Sequence, residues 1–274
     1  MELHWHSPIT HEECDIGLDG CAVCWIREVS RRYAVRPSNS LVLPAWLAFV
    51  KQLGVKFMNG GYSSGLFASP DEYLTLLLQL SPETAGHESS RKIISQDLSG
   101  LFIEEKYCLS PACSSPTVKC QSETYRWEVS VQASGTSLSQ KLNGLMSYRV
   151  MSEMSHCPCG VSSTRKTREY FSKAPRVLLV CLKRYIFLND GRGVRISSES
   201  VPLQGSFQLQ DPEGSFPVFY KLVAVICQSN SHCWAYVQQQ DQWFLVNDVH
   251  VAPTTLESSH STWTLAFFLR EGSF

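Results

Sequence analysis

From Glu123 onward the apolar residues of this chain recur at every second position, and that period decides what its C-terminal half can become. In "ETYRWEVSVQ" (residues 123–132), Tyr125, Trp127, Val129 and Val131 alternate with polar partners, the pattern of a strand with one buried face. "PRVLLVCLKRYIF" (175–187) is apolar almost without a break up to Leu182, as a strand covered on both faces would be. "VFYKLVAVIC", "CWAYVQQ" with "QWFLVND", and "STWTLAFFLR" supply further strands, so an antiparallel sheet is expected.

The first half reads as helix instead. In "SNSLVLPAWLAFVKQLGVKF" the residues Leu43, Trp46, Leu47, Phe49, Val50 and Leu53 fall at helical spacing, with Gly54 as a stop. A second helix is expected from "SPDEYLTLLLQL", where Ser69 suits the N-cap, Pro70 the first turn, and Asp71 and Glu72 the positive end of the dipole. The serine-rich "SPETAGHESS" then breaks the pattern.

With 274 residues, 43% of them hydrophobic and 18% charged, the chain can bury a substantial core. A net charge of −1 gives no electrostatic pull toward nucleic acid or an anionic membrane. The longest apolar runs are far shorter than a membrane span, and "MELHWHSP" lacks the basic start and apolar core of a leader. A cytoplasmic or nuclear protein is therefore expected, with neither nucleic acid nor a membrane as partner. Eleven cysteines, an odd number set in close pairs, suit metal ligation or thiol chemistry in a reducing compartment.

Two of these pairs, Cys108 with Cys113 and Cys157 with Cys159, sit beside prolines or a glycine that would form tight turns. Two such knuckles offer four thiolates, the donor set of a tetrahedral structural zinc with no position left open for catalysis. The single residue between Cys157 and Cys159 is tighter than usual, so His156 or Cys120 could stand in for one ligand. The alternative is a set of buried free thiols packing as small hydrophobes. Farther along, His232 opens one expected strand, and Asn247 and Asp248 end the next. If those strands pair, an imidazole meets an amide or carboxylate, the base and orienter of a thiol hydrolase.

Several of these segments together resemble the catalytic domain of the ubiquitin-specific protease family. The family's "YxLxAVxxHxGxxxxGHYxAY" and "WxxFND" are similar to "YKLVAVICQSNSHCWAY" and "WFLVND", its "LPxVLxxxLKRF" to "APRVLLVCLKRY", and its "DAHEFLxxLLD" to "SPDEYLTLLLQL". The resemblance implies an α+β, papain-like cysteine protease fold as one domain over 1–274. Residues 1–98 would be a helical thumb carrying the nucleophile, and 99–274 zinc-knuckle fingers and an antiparallel β palm. It makes His232 the general base and Asp248 its orienter, with Asn247 beside it, and it places structural zinc on Cys108, Cys113, Cys157 and Cys159.

The family opens with "GLxNLGNTCYMNxxLQ", where this chain has the shorter "GLDGCAVCWIREV". Cys24, followed by the aromatic Trp25, falls at the nucleophile, ahead of Cys21 and Cys14, and Asp19 falls at the oxyanion position. An ionised Asp19 cannot donate a hydrogen bond to a developing oxyanion, and "SHC" replaces the family's "GHY". The resemblance thus implies a thiol isopeptidase cutting after the C-terminal glycine of ubiquitin or a ubiquitin-like modifier. The alternatives are a catalytically inactive ubiquitin-binding scaffold in a protein complex, and a zinc-stabilised interaction domain that binds no modifier.

Overall fold

The computed structural model describes residues 97–272, apart from 115–116, 132–135, 152–154, 158–159, 161, 188–193, 211–216, 230–231, 240, 249 and 257–258, together with Pro70 and Leu74. In chain order the elements are β1 (Gly100–Cys108), β2 (Thr117–Thr124), β3 (Trp127–Ser130), α1 (Leu138–Met146), β4 (Arg149–Val150), β5 (Ser155–His156) and β6 (Ser162–Ser163). There follow β7 (Arg165–Lys173), β8 (Val177–Lys183), β9 (Tyr185–Phe187), β10 (Val194–Ile196), β11 (Val201–Pro202) and β12 (Ser206–Leu209). The last are β13 (Val218–Ser229), β14 (His232–Gln239), β15 (Gln242–Asn247), β16 (His250–Thr254), β17 (Ser259–His260) and β18 (Trp263–Arg270).

Strand dominates these residues, and α1 is the one helix given as an element among them. This overturns the expected α+β, papain-like architecture with a helical thumb. The helical expectation rested on 43–53 and 69–80, where only Pro70 and Leu74, both with helical backbone, belong to the described residues. From Gly100 onward the period-two pattern prevails and the chain follows it into two main sheets.

The larger sheet has eight strands in the order β16-β15-β14-β13-β18-β8-β3, with β12 also pairing β13. All its pairings are antiparallel except β3 with β8. β8 is covered on both faces, as its sequence predicts. Leu178, Val180 and Leu182 enter the main core with Trp127, Leu222, Val225 and Phe268, while Leu179 and Cys181 join Leu265, Phe267 and Leu74 on the other side. The apolar run does not continue straight to Phe187. It breaks at Arg184, whose buried guanidinium donates to the carbonyls of Trp263 (2.7 Å), Ser197 (3.0 Å) and Glu199 (2.7 Å). Those bonds satisfy a charge that would otherwise be costly to bury.

The smaller sheet runs β2-β1-β7-β4. Sequence reading passes over its first two strands because β2 is exposed along most of its length and β1 breaks its apolar pattern at Glu105. The single stretch expected at 123–132 is divided between the sheets, turning at Tyr125 and Arg126, where Thr124 Oγ1 donates to the Arg126 carbonyl (2.9 Å). Phe102, Trp127 and Phe171 pack edge to face at this junction, with centroids 5.3–6.0 Å apart. Helix α1 starts at a capping box. Ser137 Oγ accepts from the Gln140 amide, and Gln140 Oε1 accepts from the Ser137 amide, satisfying two N–H groups that the helix start leaves open. Its buried Leu138, Leu142 and Met146 fall at successive fours on one face.

Within the smaller sheet Glu105 is buried yet ionised. Arg168, opposite it on β7, donates to Glu105 Oε2 from Nε (2.9 Å) and Nη2 (2.7 Å), and the Tyr148 hydroxyl donates to Oε1 (2.5 Å). Burial alone would raise this carboxyl, but Tyr148, Arg168 and Lys119 outweigh it and hold the group below its ordinary range. The folded state therefore binds this proton less readily than the unfolded chain. The resulting stability is complete above about pH 4.5 and is lost as pH falls through the lowered value. Urea unfolding across this acid range should show the wild type losing stability, with a flatter curve for Glu105→Gln. At neutral pH that variant should be weaker by on the order of 3 kcal/mol, because Arg168 keeps its charge without its partner.

Gly100 is required by close approach. A methyl group there would lie 2.5 Å from Phe171 Cε1 and 2.9 Å from Pro175 Cδ. Gly100→Ala should lower the unfolding free energy by about 1–3 kcal/mol in chemical denaturation, through overpacking at the junction of the two sheets.

Candidate functional site

β13 pairs with β14 so that Ser229 lies opposite His232, the first residue of β14. Strand β15 returns beside β14 in the register Ala235 to Val246, which carries Asn247 back to the same end of the sheet. There His232 Nε2 lies 2.7 Å from Asn247 Oδ1. An amide oxygen can only accept, so Nε2 donates and Nδ1 keeps the lone pair with which it can take a proton. The imidazole is exposed and stacks on Trp234 with centroids 5.8 Å apart and planes 24° from parallel. Two contacts thus define the ring's orientation.

Asp248 has a different place. Its φ of +51° puts it in left-handed backbone at the start of the two-residue turn between Asn247 and its partner His250. Aspartate tolerates this conformation better than most residues, and two-residue hairpin turns demand it. The residue on the strand, Asn247, is the one bonded to the imidazole. Cys24, Asp19, Cys21 and Cys14 lie outside the described residues.

Two thiols near His232 are poorly suited to be nucleophiles. Cys227 is buried, and burial pushes its thiol up to about 11, which leaves it protonated at neutral pH. Burial also raises Cys233, the neighbour of His232.

A second cluster lies at the far end of the smaller sheet. The sulfurs of Cys108, Cys113 and Cys157 all fall within 4.8 Å of one another. Cys108 ends β1, and the chain turns at once so that the Cys113 amide bonds the Ser110 carbonyl (3.1 Å). Cys157 follows β5 in another turn, closed by the Gly160 amide on the Cys157 carbonyl (2.8 Å), with Gly160 at φ +80°. Cys113 and Cys157 sulfurs are 3.6 Å apart. A tetrahedral zinc–thiolate centre with bonds of about 2.3 Å separates its sulfurs by about 3.8 Å, so the spacing fits such an ion. Cys159 lies outside the described residues, and Cys120 is exposed on β2 opposite Glu104, apart from the cluster. The three converging thiols could bind a thiolate-preferring metal.

No protein-family model and no curated protein matches the sequence. Solved structures do match in fold. A chain of the yeast SAGA DUBm carrying an Sgf73 mutant superposes with a TM-score of 0.76 at 15% identity, over 95% of this chain and 60% of that one. A chain of the SAGA Ubp8/Sgf11/Sus1/Sgf73 DUB module bound to ubiquitin aldehyde gives 0.75 at 16% identity, covering 95% and 62%. One from the SAGA DUB module bound to monoubiquitin gives 0.74 at 16%, covering 95% and 61%. The chain therefore shares the fold of these DUB-module chains and spans about three-fifths of their length. Among the described residues, no helix is long and apolar enough to cross a membrane.

The cysteine cluster makes a direct prediction. The purified chain should retain one equivalent of zinc in a chromophoric chelator assay, and Cys113→Ser or Cys157→Ser should weaken retention by at least about tenfold. Cys120→Ser should leave it unchanged.

Proposed function

We propose that this chain is a thiol-dependent hydrolase that recognises ubiquitin or a ubiquitin-like modifier and cleaves the bond after its C-terminal glycine. The observation that carries the reading is the 2.7 Å bond from His232 Nε2 to Asn247 Oδ1, on a fold shared with chains of DUB modules solved bound to ubiquitin aldehyde and monoubiquitin. Cys24 is the nucleophile in this proposal. Its thiol gives a proton to His232 Nδ1 and its sulfur attacks the carbonyl carbon. The protonated imidazole returns that proton to the leaving amine, and water then hydrolyses the thioester. Asn247 holds the ring in the tautomer that leaves Nδ1 free to act, with Asp248 beside it at the turn. A zinc ion on Cys108, Cys113, Cys157 and Cys159 would brace the smaller sheet. A nuclear or cytoplasmic setting, with the thiols reduced, and a place in a larger protein complex belong to the same reading.

One feature of the sequence favours a non-catalytic ubiquitin binder instead. By the resemblance of its opening segment, Asp19 falls at the oxyanion position, and losing one such donor slows acyl transfer by about a hundredfold or more. A ubiquitin probe with a thiol-reactive C-terminus separates the two. The hydrolase should be labelled, Cys24→Ala and His232→Ala should abolish labelling, and Asp19→Asn should accelerate it. Absence of labelling with retained ubiquitin binding in a titration would establish the binder. If ubiquitin and its relatives neither label nor bind the chain, both readings fail.

A further inference from the structure

The bond between His232 and Asn247 crosses the sheet on a diagonal. On β13, Ser229 lies opposite His232 and Cys227 opposite Trp234. On the other edge of β14, the register that pairs Ala235 with Val246 brings Asn247 opposite Trp234 at its next step. His232 and Trp234 stand two residues apart on one strand and so share a face, and Asn247 shares it from across the ladder. The asparagine thus accepts from the imidazole by reaching past its direct neighbour, the tryptophan. Trp234 is half-buried and packs against the main core, opposite the fully buried Cys227, whereas His232 is exposed.

One hydrogen bond does not hold an exposed ring. Water competes for its N–H, and the ring plane can turn about the line from Nε2 to Oδ1, which swings the Nδ1 lone pair while the bond persists. A flat neighbour removes that freedom. The indole and imidazole planes are 24° from parallel with centroids 5.8 Å apart, inside the range of about 4.5–7 Å over which aromatic rings attract. The family pattern "GHYxAY" leaves the position of Trp234 open and sets its aromatic next to the histidine, where this chain has Cys233. Cys233, opposite Gln228, alternates to the other face of the sheet. The planar contact in this chain comes from Trp234.

We propose that Trp234 is a positioning residue: its indole, anchored on the core, fixes the plane of the His232 imidazole and with it the direction in which Nδ1 can take a proton. The catalytic consequence rests on the thiol-hydrolase reading; the hold on the ring does not.

Hydrolysis by the full chain of ubiquitin carrying a C-terminal coumarin amide tests that consequence. Trp234→Leu keeps an apolar group on the core but offers no flat face. It should lower kcat by about tenfold or more with KM changed by less than about twofold, and Trp234→Phe should recover most of the loss. The control Trp243→Leu removes an indole that packs on the same core from its place opposite Gln238, and should leave kcat unchanged. NMR relaxation at the His232 Cε1–H bond reads ring order in the same variants, whether or not the wild type turns over. An order parameter of about 0.85 in the wild type and Trp234→Phe should fall below about 0.6 in Trp234→Leu. No turnover by the wild type, with ring order lost in Trp234→Leu, overturns the hydrolase and upholds the hold on the ring. Ring order intact in Trp234→Leu overturns the proposal whatever the turnover. Unchanged kcat in that variant overturns it too, with the hydrolase left standing, and so does a loss that falls on KM or is shared equally by Trp234→Phe or Trp243→Leu.

Discussion

Strand β13 must bury both of its faces while pairing along both edges, and the rest of the larger sheet follows from that constraint. At twelve residues it is the longest of the described strands. It pairs with β14 on one edge, with β18 on the other, and with β12 near its beginning. Tyr220, Leu222, Val225 and Cys227 enter the main core, while Ile226 packs into the cluster of Leu179, Cys181 and Leu265. Its last pairing, Ser229 with His232, then determines where His232 stands. The register that fills the two cores also aims the candidate base, because a slip of one residue would exchange every side chain between faces.

Backbone geometry explains the choice between adjacent residues at the site. Asn247 ends a strand whose neighbour presents the imidazole, and Asp248 takes the left-handed turn that a two-residue connection requires. A carboxylate in the same place would stabilise an imidazolium by charge. An amide fixes the tautomer by accepting from the ring N–H, as in the cysteine–histidine–asparagine form of the thiol protease site.

Much of the larger sheet was legible in the sequence because its strands have one unambiguous period. "VFYKLVAVIC", "CWAYVQQ", "QWFLVND" and "STWTLAFFLR" all became strands, and "PRVLLVCL" was rightly read as buried on both sides. The smaller sheet was illegible for the opposite reason. β2 carries little apolar pattern, and β1 buries Glu105 at a position where alternation calls for an apolar residue. The break at Arg184 was hidden inside an apolar run, since a buried arginine is stable only through carbonyls that arrive from far along the chain. The convergence of Cys108, Cys113 and Cys157 could be anticipated from paired cysteines and their turns. The meeting of His232 with Asn247 could be anticipated only as far as a hairpin end, because turn handedness was not visible.

The root between the two sheets has a mechanical meaning. The chain passes between them at residues 124–127, again through α1 between β3 and β4, and a third time at 173–177, where it is fastened by the Tyr220 hydroxyl on the Pro175 carbonyl (2.6 Å) and the Arg270 amide on the Arg176 carbonyl (2.8 Å). Between these passages lie three interlocked aromatic rings. All three passages enter or leave the larger sheet at β3 or β8, so the smaller sheet is joined to it along that edge. A load at its cysteine-bearing tip is delivered to β3 and β8, at the opposite side of the sheet from the strands that carry the imidazole and the amide.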